Sequence, residues 1–479
     1  MFGYRSTLPA VLRSEAPRPQ AVRNNPRAPW LAVGVVCFGA FMGQLDASIV
    51  TLTFRPMEHD FAAPLAAVQW VSLAYLLLLV ALVTPAGRFA DSVGRKLIYG
   101  YGFIVFTIGS AACGLAPSLG VLIGCRLFQA AGAAMLQSNS VALVTTSVPR
   151  ERMRLALSIQ AAAQSIGLGL GPTLGGLLTE TVGWRYVYWI NVPVGILAVV
   201  AGYYLLPRSR ELSRSDSFDW LGAALLGIAT TALLVALSVI GGLPVPGWFA
   251  LVMAVVAVAA GLAFAQRQRR ARFPLIPRAL LRSPRLAIAL AGAFLGYLAL
   301  FGPLVLVPQL LDGHGSAART GLILSALPVG FGVAALTAEW VFPPDLPNRV
   351  RGIIGAAASA VALVMLIFAA GSTAGLVLLL GLAGIGLGVF VPANNAVIMR
   401  SAAASSAAVV GGLVNMARGI GTTFGIALVT LALHVAKPGL GGRTAGFAVL
   451  AVAAGCAIVV AASIRPLGLS AASPGRNPR

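Results

Sequence analysis

The chain has 479 residues, 58% of them hydrophobic and only 10% charged, and its mean hydropathy is +0.89. Soluble domains carry roughly 25% charged residues, so this composition excludes a soluble globular protein and predicts an all-α polytopic membrane protein, a bundle whose backbone polar groups are satisfied internally. The formal net charge of +21 suggests nucleic acid as a partner, but the placement of the basic residues argues against it.

Residues 1–29 are basic and Pro-rich and lack the apolar core of a signal peptide, so they read as a disordered cytoplasmic tail. Apolar stretches long enough to span a bilayer, about 20 residues each, then follow at 30–54, 68–86, 97–116, 119–147, 153–179, 186–206, 217–240, 246–265, 284–311, 319–342, 350–370, 373–398, 405–434 and 443–464. An even number of spans places both termini on one side. With the N-terminus inside, 27 of the 34 Lys and Arg fall on the cytoplasmic side and 5 on the other, while Arg126 and Arg418 lie within spans. This asymmetry follows the positive-inside rule and predicts cytoplasmic termini. The densest basic run, QRQRRARFPLIPRALLRSPR (266–285), is then the loop between spans 8 and 9, lying against anionic headgroups rather than nucleic acid. Two lysines against 32 arginines point to a GC-rich bacterial genome, hence a bacterial cytoplasmic membrane.

Span 1 contains GAFMGQLDASIVTL, with Asp46 about 16 residues in. A carboxylate at the centre of a span is unfavourable by about 2.5 to 3.5 kcal/mol on insertion scales, so it is paired, wetted or used. Asp46 is a candidate for proton coupling or cation binding; the alternative is a hydrogen-bonded acid that orders the outer helix ends. GRFADSVGRK follows span 2. Gly87 and Gly94 permit a tight turn, Arg88, Arg95 and Lys96 anchor the inner face, and Asp91 can pair with them or sit at a helix N-terminus. Arg126 in span 4 can bias a nearby carboxylate; the alternative is a structural role bonding backbone carbonyls and Gln129. Span 5 contains GLGLGPTLGG. Gly167, Gly171 and Gly175 make one smooth face beside Gly176, and Pro172 can bend the helix. The reading assigns that face to an interface sliding between two halves of the molecule. In the C-terminal half, Glu339 in TAEWVF is a second candidate for proton or cation handling, or else pairs with Arg349 or Arg351. Arg418 with Asn415 resembles Arg126 in kind. Glu180 and Asp312 fall at outer ends. Gln44, Gln137, Asn139, Gln160, Gln164, Asn394, Asn395 and Asn415 are candidates to line a pathway, with Trp70, Tyr75, Phe294 and Tyr297 as aromatic faces for a flat or cationic solute.

Catalytic chemistry is not indicated. Cys37, Cys113, Cys125 and Cys456 lie in apolar stretches, and neither they nor His59, His314 and His434 have metal-ligand spacing. No Ser/His/Asp or paired-carboxylate constellation and no nucleotide-binding loop is present, so neither an enzyme, a cofactor nor ATP is expected.

Taken together, these motifs resemble the major facilitator superfamily. GRFADSVGRK resembles its signature loop, and QLDASIVTL is similar to the LDxTIVNVAL pattern of its fourteen-span drug:proton antiporters. RLFQAAGAA, from Arg126, is similar to RxxQGxGAA with Ala130 in place of glycine. GLGLGPTLGG resembles the antiporter motif, and WRYVYWINVPVG the start of span 6. The resemblance covers essentially the whole chain and is densest over 40–200. Two departures are TFRPMEHDF at the end of span 1, in place of the usual ALPxI, and FPPDLPNRVRG where a second signature loop would fall.

The resemblance implies two six-helix bundles, 30–206 and 284–465, with an inserted hairpin and basic loop at 207–283 and a tail at 466–479. It further implies a monomeric, proton-driven exporter of hydrophobic or cationic toxic compounds, with Asp46 and Arg126 in coupling, GRFADSVGRK in gating and an amphipathic small molecule as substrate. The alternatives are a dedicated exporter of one metabolite on the same fold and, further away, a receptor or enzyme in the membrane.

Overall fold

A computed structural model describes residues 15, 18–149, 152–208, 219–272, 274, 283–311, 316–343, 345–368, 372–400, 407–436 and 440–463. Within them every regular element is helical. The long helices are α1 (Ala28–Ile49), α2 (Trp70–Val93), α3 (Arg95–Gly114), α4 (Leu119–Ser147), α5 (Met153–Thr181), α6 (Asn191–Leu205), α7 (Trp220–Ile240), α8 (Trp248–Arg270), α9 (Pro284–Leu310), α10 (Ala317–Val341), α11 (Asn348–Phe368), α12 (Thr373–Arg400), α13 (Ala407–Val435) and α14 (Leu440–Ser463). Thirteen helical segments among the described residues are long and apolar enough to cross a membrane. The 29-residue α5 stands outside that set: glycines, Gln160, Gln164 and Pro172 occupy places that large apolar residues fill elsewhere.

Helix starts follow their side chains. Ser118, Asp219, Ser283 and Ser316 each accept a hydrogen bond from a backbone N–H in the first turn of α4, α7, α9 and α10, satisfying donors that a helix leaves open. Two ends on the expected cytoplasmic side differ from the sequence reading. Helix α2 continues to Val93, so most of the expected 87–96 loop is helix, with Gly87 inside it. The reversal rests on Gly94 alone, whose φ is +128°. Only glycine adopts that conformation without strain, and a Cβ there would also overlap the Glu15 carboxylate. Gly94→Ala is expected to lower stability by about 1–3 kcal/mol, measured as thermal unfolding in detergent. Helix α8 likewise runs five residues beyond the expected end of span 8, to Arg270, because Arg267 pairs at 3.1 Å with the buried Asp219 at the start of α7.

The expected disordered tail is also partly docked. Glu15 is 8% exposed, and its Oε1 accepts from the backbone N–H of Lys96 (3.1 Å) and Leu97 (3.4 Å) in the first turn of α3. Arg18 Nε donates to Leu205 O, at the far end of α6, at 2.8 Å. An acid thus meets a helix N-terminus and a base a helix C-terminus, the favoured sense at both.

The first six long helices pack chiefly on one another, as do the last six. The two sets meet along α5 and α10, and along α2 and α13. Helix α7 lies against α2 and α13, and α8 packs on α7. On α8, Leu251, Val255, Val258 and Leu262 form an exposed apolar stripe, spaced i, i+4, i+7, i+11 along one helix face. After α1 the chain makes a 3-10 turn, Val50–Thr53, and a short helix, Phe54–Asp60. The unusual TFRPMEHDF segment therefore prolongs span 1. Its Asp60 accepts from Trp184 Nε1 (3.1 Å) and Arg185 Nη1 (2.7 Å), fixing the approach to α6.

Candidate functional site

Asp46 on α1 is fully buried and Arg126 on α4 is 1% exposed. Arg126 Nη1 donates to Asp46 Oδ2 at 2.7 Å and to Gln129 Oε1 at 2.6 Å. Gln129 lies one turn along α4, on the same face. Its Nε2 donates to Asp46 Oδ1 at 3.0 Å and to Ser110 Oγ on α3 at 2.6 Å. Asn191, the first residue of α6, donates to Asp46 Oδ1 at 3.4 Å. Arg126 Nε donates to the Val71 carbonyl of α2 at 3.0 Å, and its guanidinium lies over the Tyr75 ring, 4.0 Å from the centroid. Five helices thus converge on one ion pair. Gly109 on α3 allows the approach: a Cβ there would lie 2.7 Å from the Gln129 Cα.

Burying two charges is costly, and their attraction compensates only when the geometry is good and the remaining donors and acceptors are filled. The geometry is good here, and most of those groups are filled. Both carboxylate oxygens of Asp46 are engaged, and Arg126 keeps a carbonyl, an amide oxygen and an aromatic face besides the acid.

Beside the pair lies a cavity of about 280 Å³. The first half of the chain lines it with Gly43, Gln44 and Ala47 of α1, Tyr75 of α2, Phe106 of α3, Gln137 and Ser140 of α4, and Gln160 and Gln164 of α5. The second half contributes Tyr297 and Phe301 of α9 and Asn415, Arg418, Gly419 and Thr422 of α13. Asp46 and Arg126 are not in the lining. Tyr75 stands between: one side of it borders the cavity and its ring covers the guanidinium.

The structure gathers some expected residues and separates others. Gln44, Gln137, Gln160, Gln164, Asn415, Arg418, Tyr75 and Tyr297 reach the cavity. Asn139 does not, because its amide donates to Met135 O one turn back at 2.9 Å. Asn394 donates to Ala289 O on α9 at 2.7 Å and so ties two helices; Asn395 is also outside the lining. Trp70 donates to Ser238 on α7 at 3.2 Å, and Phe294 packs on Phe424. Asp91 sits in the last turn of α2, 2.8 Å from Arg95 Nε, rather than at a helix N-terminus; Glu15 takes that role at α3, beside Lys96. The side chains of Arg88 and Glu339, and residues Asp312 and His314, lie outside the described residues. Arg349 and Arg351, expected partners of Glu339, donate to Ala462 O at 2.5 Å and Pro343 O at 2.7 Å.

The span-5 motif needs a correction. Gly167, Gly171 and Gly175 face α1 in the same half: a Cβ on them would overlap Phe41 O, Ser48 Oγ and Ile49 O respectively. The contact between halves uses the adjacent face of α5. There Gly176 abuts Ala317 O, Pro172 O abuts Gly321, and the Thr173 and Ser325 hydroxyls are 2.5 Å apart. Glu180 Oε2 accepts from Ala318 N at 2.9 Å at the end of this seam. A period of four keeps glycines on one face, but which neighbour that face meets depends on how α5 is turned.

Sequence reasoning passed over Ser110, Asn191, Phe106, Phe301 and Thr422. Asn191 had a usable signal, a lone amide opening an otherwise apolar span.

Residues 36–426 match the sequence pattern of the Major Facilitator Superfamily. The multidrug resistance protein Stp of Mycobacterium tuberculosis (strain CDC 1551 / Oshkosh) is 34% identical over 405 residues, 82% of this chain and 73% of that protein. The methylenomycin A resistance protein of Streptomyces coelicolor is 30% identical over 404 residues, 83% of this chain and 84% of that protein. The tetracenomycin C resistance and export protein of Streptomyces glaucescens is 32% identical over 410 residues, 84% of this chain and 75% of that protein.

Proposed function

The chain belongs to the Major Facilitator Superfamily, a family of membrane transporters, and on that premise we propose that it is a proton-driven exporter of amphipathic toxic compounds, hydrophobic or cationic drugs among them. The observation that carries the reading is the buried Asp46–Arg126 pair, one aromatic ring away from a cavity lined by both halves of the chain. Counting α5 as a span gives fourteen. With both termini in the cytoplasm of a bacterial cell, the α5–α10 seam lies toward the outside, so the described conformation is the one closed on that face. Residues 30–206 and 284–465 act as the two bundles, with 207–283 inserted, in a monomer that requires no cofactor.

In this mechanism a proton from outside neutralises Asp46. Arg126 then holds its charge against Val71 O, Gln129 Oε1 and the Tyr75 ring, partners it already has. Loss of the acid's charge loosens the attraction between α1 and α4 and favours tilting of the halves. Release of the proton inside restores the pair. The GRFADSVGRK segment acts as the cytoplasmic gate, its Asp91–Arg95 pair and Gly94 turn setting the angle between α2 and α3.

The test is purified protein in proteoliposomes under an imposed pH gradient with a panel of amphipathic dyes. Dye movement is expected to follow the gradient and to stop with a protonophore. Movement indifferent to the protonophore would remove proton coupling. A second reading, a dedicated exporter of one metabolite, draws on the methylenomycin and tetracenomycin resistance proteins, each named for a single compound. Movement of one dye class alone favours it.

A further inference from the structure

We infer that the cavity holds an acid-bearing aromatic substrate, with Arg418 as the anchor for its carboxylate or acidic phenol. This rests on the exporter reading, keeps its amphipathic aromatic substrates and sets acids in place of the cations. Arg418 is the only charged residue among the described residues that line the cavity. The other polar contributors, Gln44, Gln137, Gln160, Gln164, Asn415 and the Ser140 and Thr422 hydroxyls, are neutral, so the sign of the charge a ligand meets is set by this one guanidinium.

The two span arginines differ in one respect. Arg126 is paired with a carboxylate and donates to a carbonyl and an amide oxygen beneath the Tyr75 ring. Arg418 shares only the aromatic contact: its guanidinium lies over the Tyr297 ring, 5.1 Å from the centroid, and its Nε is buried without a hydrogen-bond partner. Among the described residues no carboxylate pairs with it. A guanidinium presents a planar fork that matches a carboxylate through two parallel hydrogen bonds. Tyr297 lies beside the guanidinium, and Arg418 lines the cavity, so the fork is within reach of a ligand held there. Tyr75, Phe106 and Phe301 supply apolar faces for the rest of the molecule, and a volume of about 280 Å³ suits a small ligand rather than an extended one. A lipophilic cation would meet Arg418 with no lining carboxylate to offset it, since Asp46 is buried outside the lining and already paired.

The experiment uses one scaffold with three charges: 9-anthracenecarboxylate, 9-anthracenecarboxamide and (9-anthracenylmethyl)trimethylammonium. Binding to the purified full chain in detergent is read by fluorescence, and gradient-driven movement in proteoliposomes. The carboxylate is expected to bind at least about tenfold more tightly than either other probe, as hydrogen bonds to a charged group support. Arg418→Gln is expected to bring the carboxylate to the level of the amide, and Arg418→Lys to recover part of the preference by keeping the charge without the fork. Equal or tighter binding of the ammonium by the unaltered protein overturns the inference, with no variant needed. So does an equal loss of all three probes in a correctly folded Arg418→Gln protein. The two readings fail separately. Dye efflux without carboxylate preference sinks the anchor and leaves the exporter. An Arg418-dependent carboxylate preference without gradient-driven movement of any compound supports the anchor and sinks the exporter.

Discussion

Asp46→Asn is expected to abolish gradient-driven efflux, with coupled transport falling by about a hundredfold or more. An amide of the same shape keeps hydrogen-bonding capacity but can neither carry the charge nor release the proton. The variant also leaves Arg126 buried without its counter-ion, a loss of typically about 3–5 kcal/mol when one partner of a buried pair is removed. Inactivity alone would therefore not separate coupling from folding. The double variant Asp46→Asn/Arg126→Gln does, because it removes both charges together. It is expected to regain most of the thermal stability in detergent and none of the coupled transport. Gradient-driven efflux at the normal rate in either protein would show that the proton is carried elsewhere.

The second large effect is expected at the seam between the halves. Gly176→Leu introduces a side chain where even a Cβ would overlap Ala317 O on α10. Overpacking of a close contact is unfavourable by roughly 1–3 kcal/mol. Here the two helices can relieve it by separating at that end, so the strain falls on one conformation rather than on the fold. Turnover is expected to drop by at least about tenfold with little change in unfolding temperature. A cysteine at Gln44, in the cavity lining, should react faster with an impermeant maleimide from the outside, in a background lacking the native cysteines. Gly171→Leu serves as the contrast. Its Cβ meets Ser48 and Ile49 of α1, inside one half, where no rearrangement between halves relieves the clash. It is expected to lose both stability and transport. Identical behaviour of the two variants would remove the distinction between the two faces of α5.

These contrasts show what the sequence could tell and what it could not. The spans were legible because lipid imposes a length and forbids unpaired polar backbone. Their ends were less so, since a helix can outlast its apolar stretch when a partner waits beyond it, as Asp219 does for Arg267. That Asp46 and Arg126 needed partners followed from their burial. Gln129 was legible as a partner of Arg126; that Asn191 and Ser110 complete the network was not, because it depends on how each helix is rotated about its axis. The same uncertainty sent Asn139 and Asn394 to backbone carbonyls instead of the cavity, and turned the Gly167–Gly171–Gly175 face toward α1. Glu15 was hidden for another reason: a flexible-looking segment gives no periodicity from which a docked carboxylate can be read.

For a carrier run on protons, the ring of Tyr75 has a consequence beyond packing. Idle cycles that let hydrogen ions pass without cargo would dissipate the cell's energy store. A carboxylate open to the chamber would be wetted whenever the chamber is. With a phenol ring as the partition, admission waits on rotation of that ring or on a shift of α2, the helix that also touches the opposite half. In a proton-driven cycle, Tyr75 and the helix that carries it would stand across the path of such a short circuit.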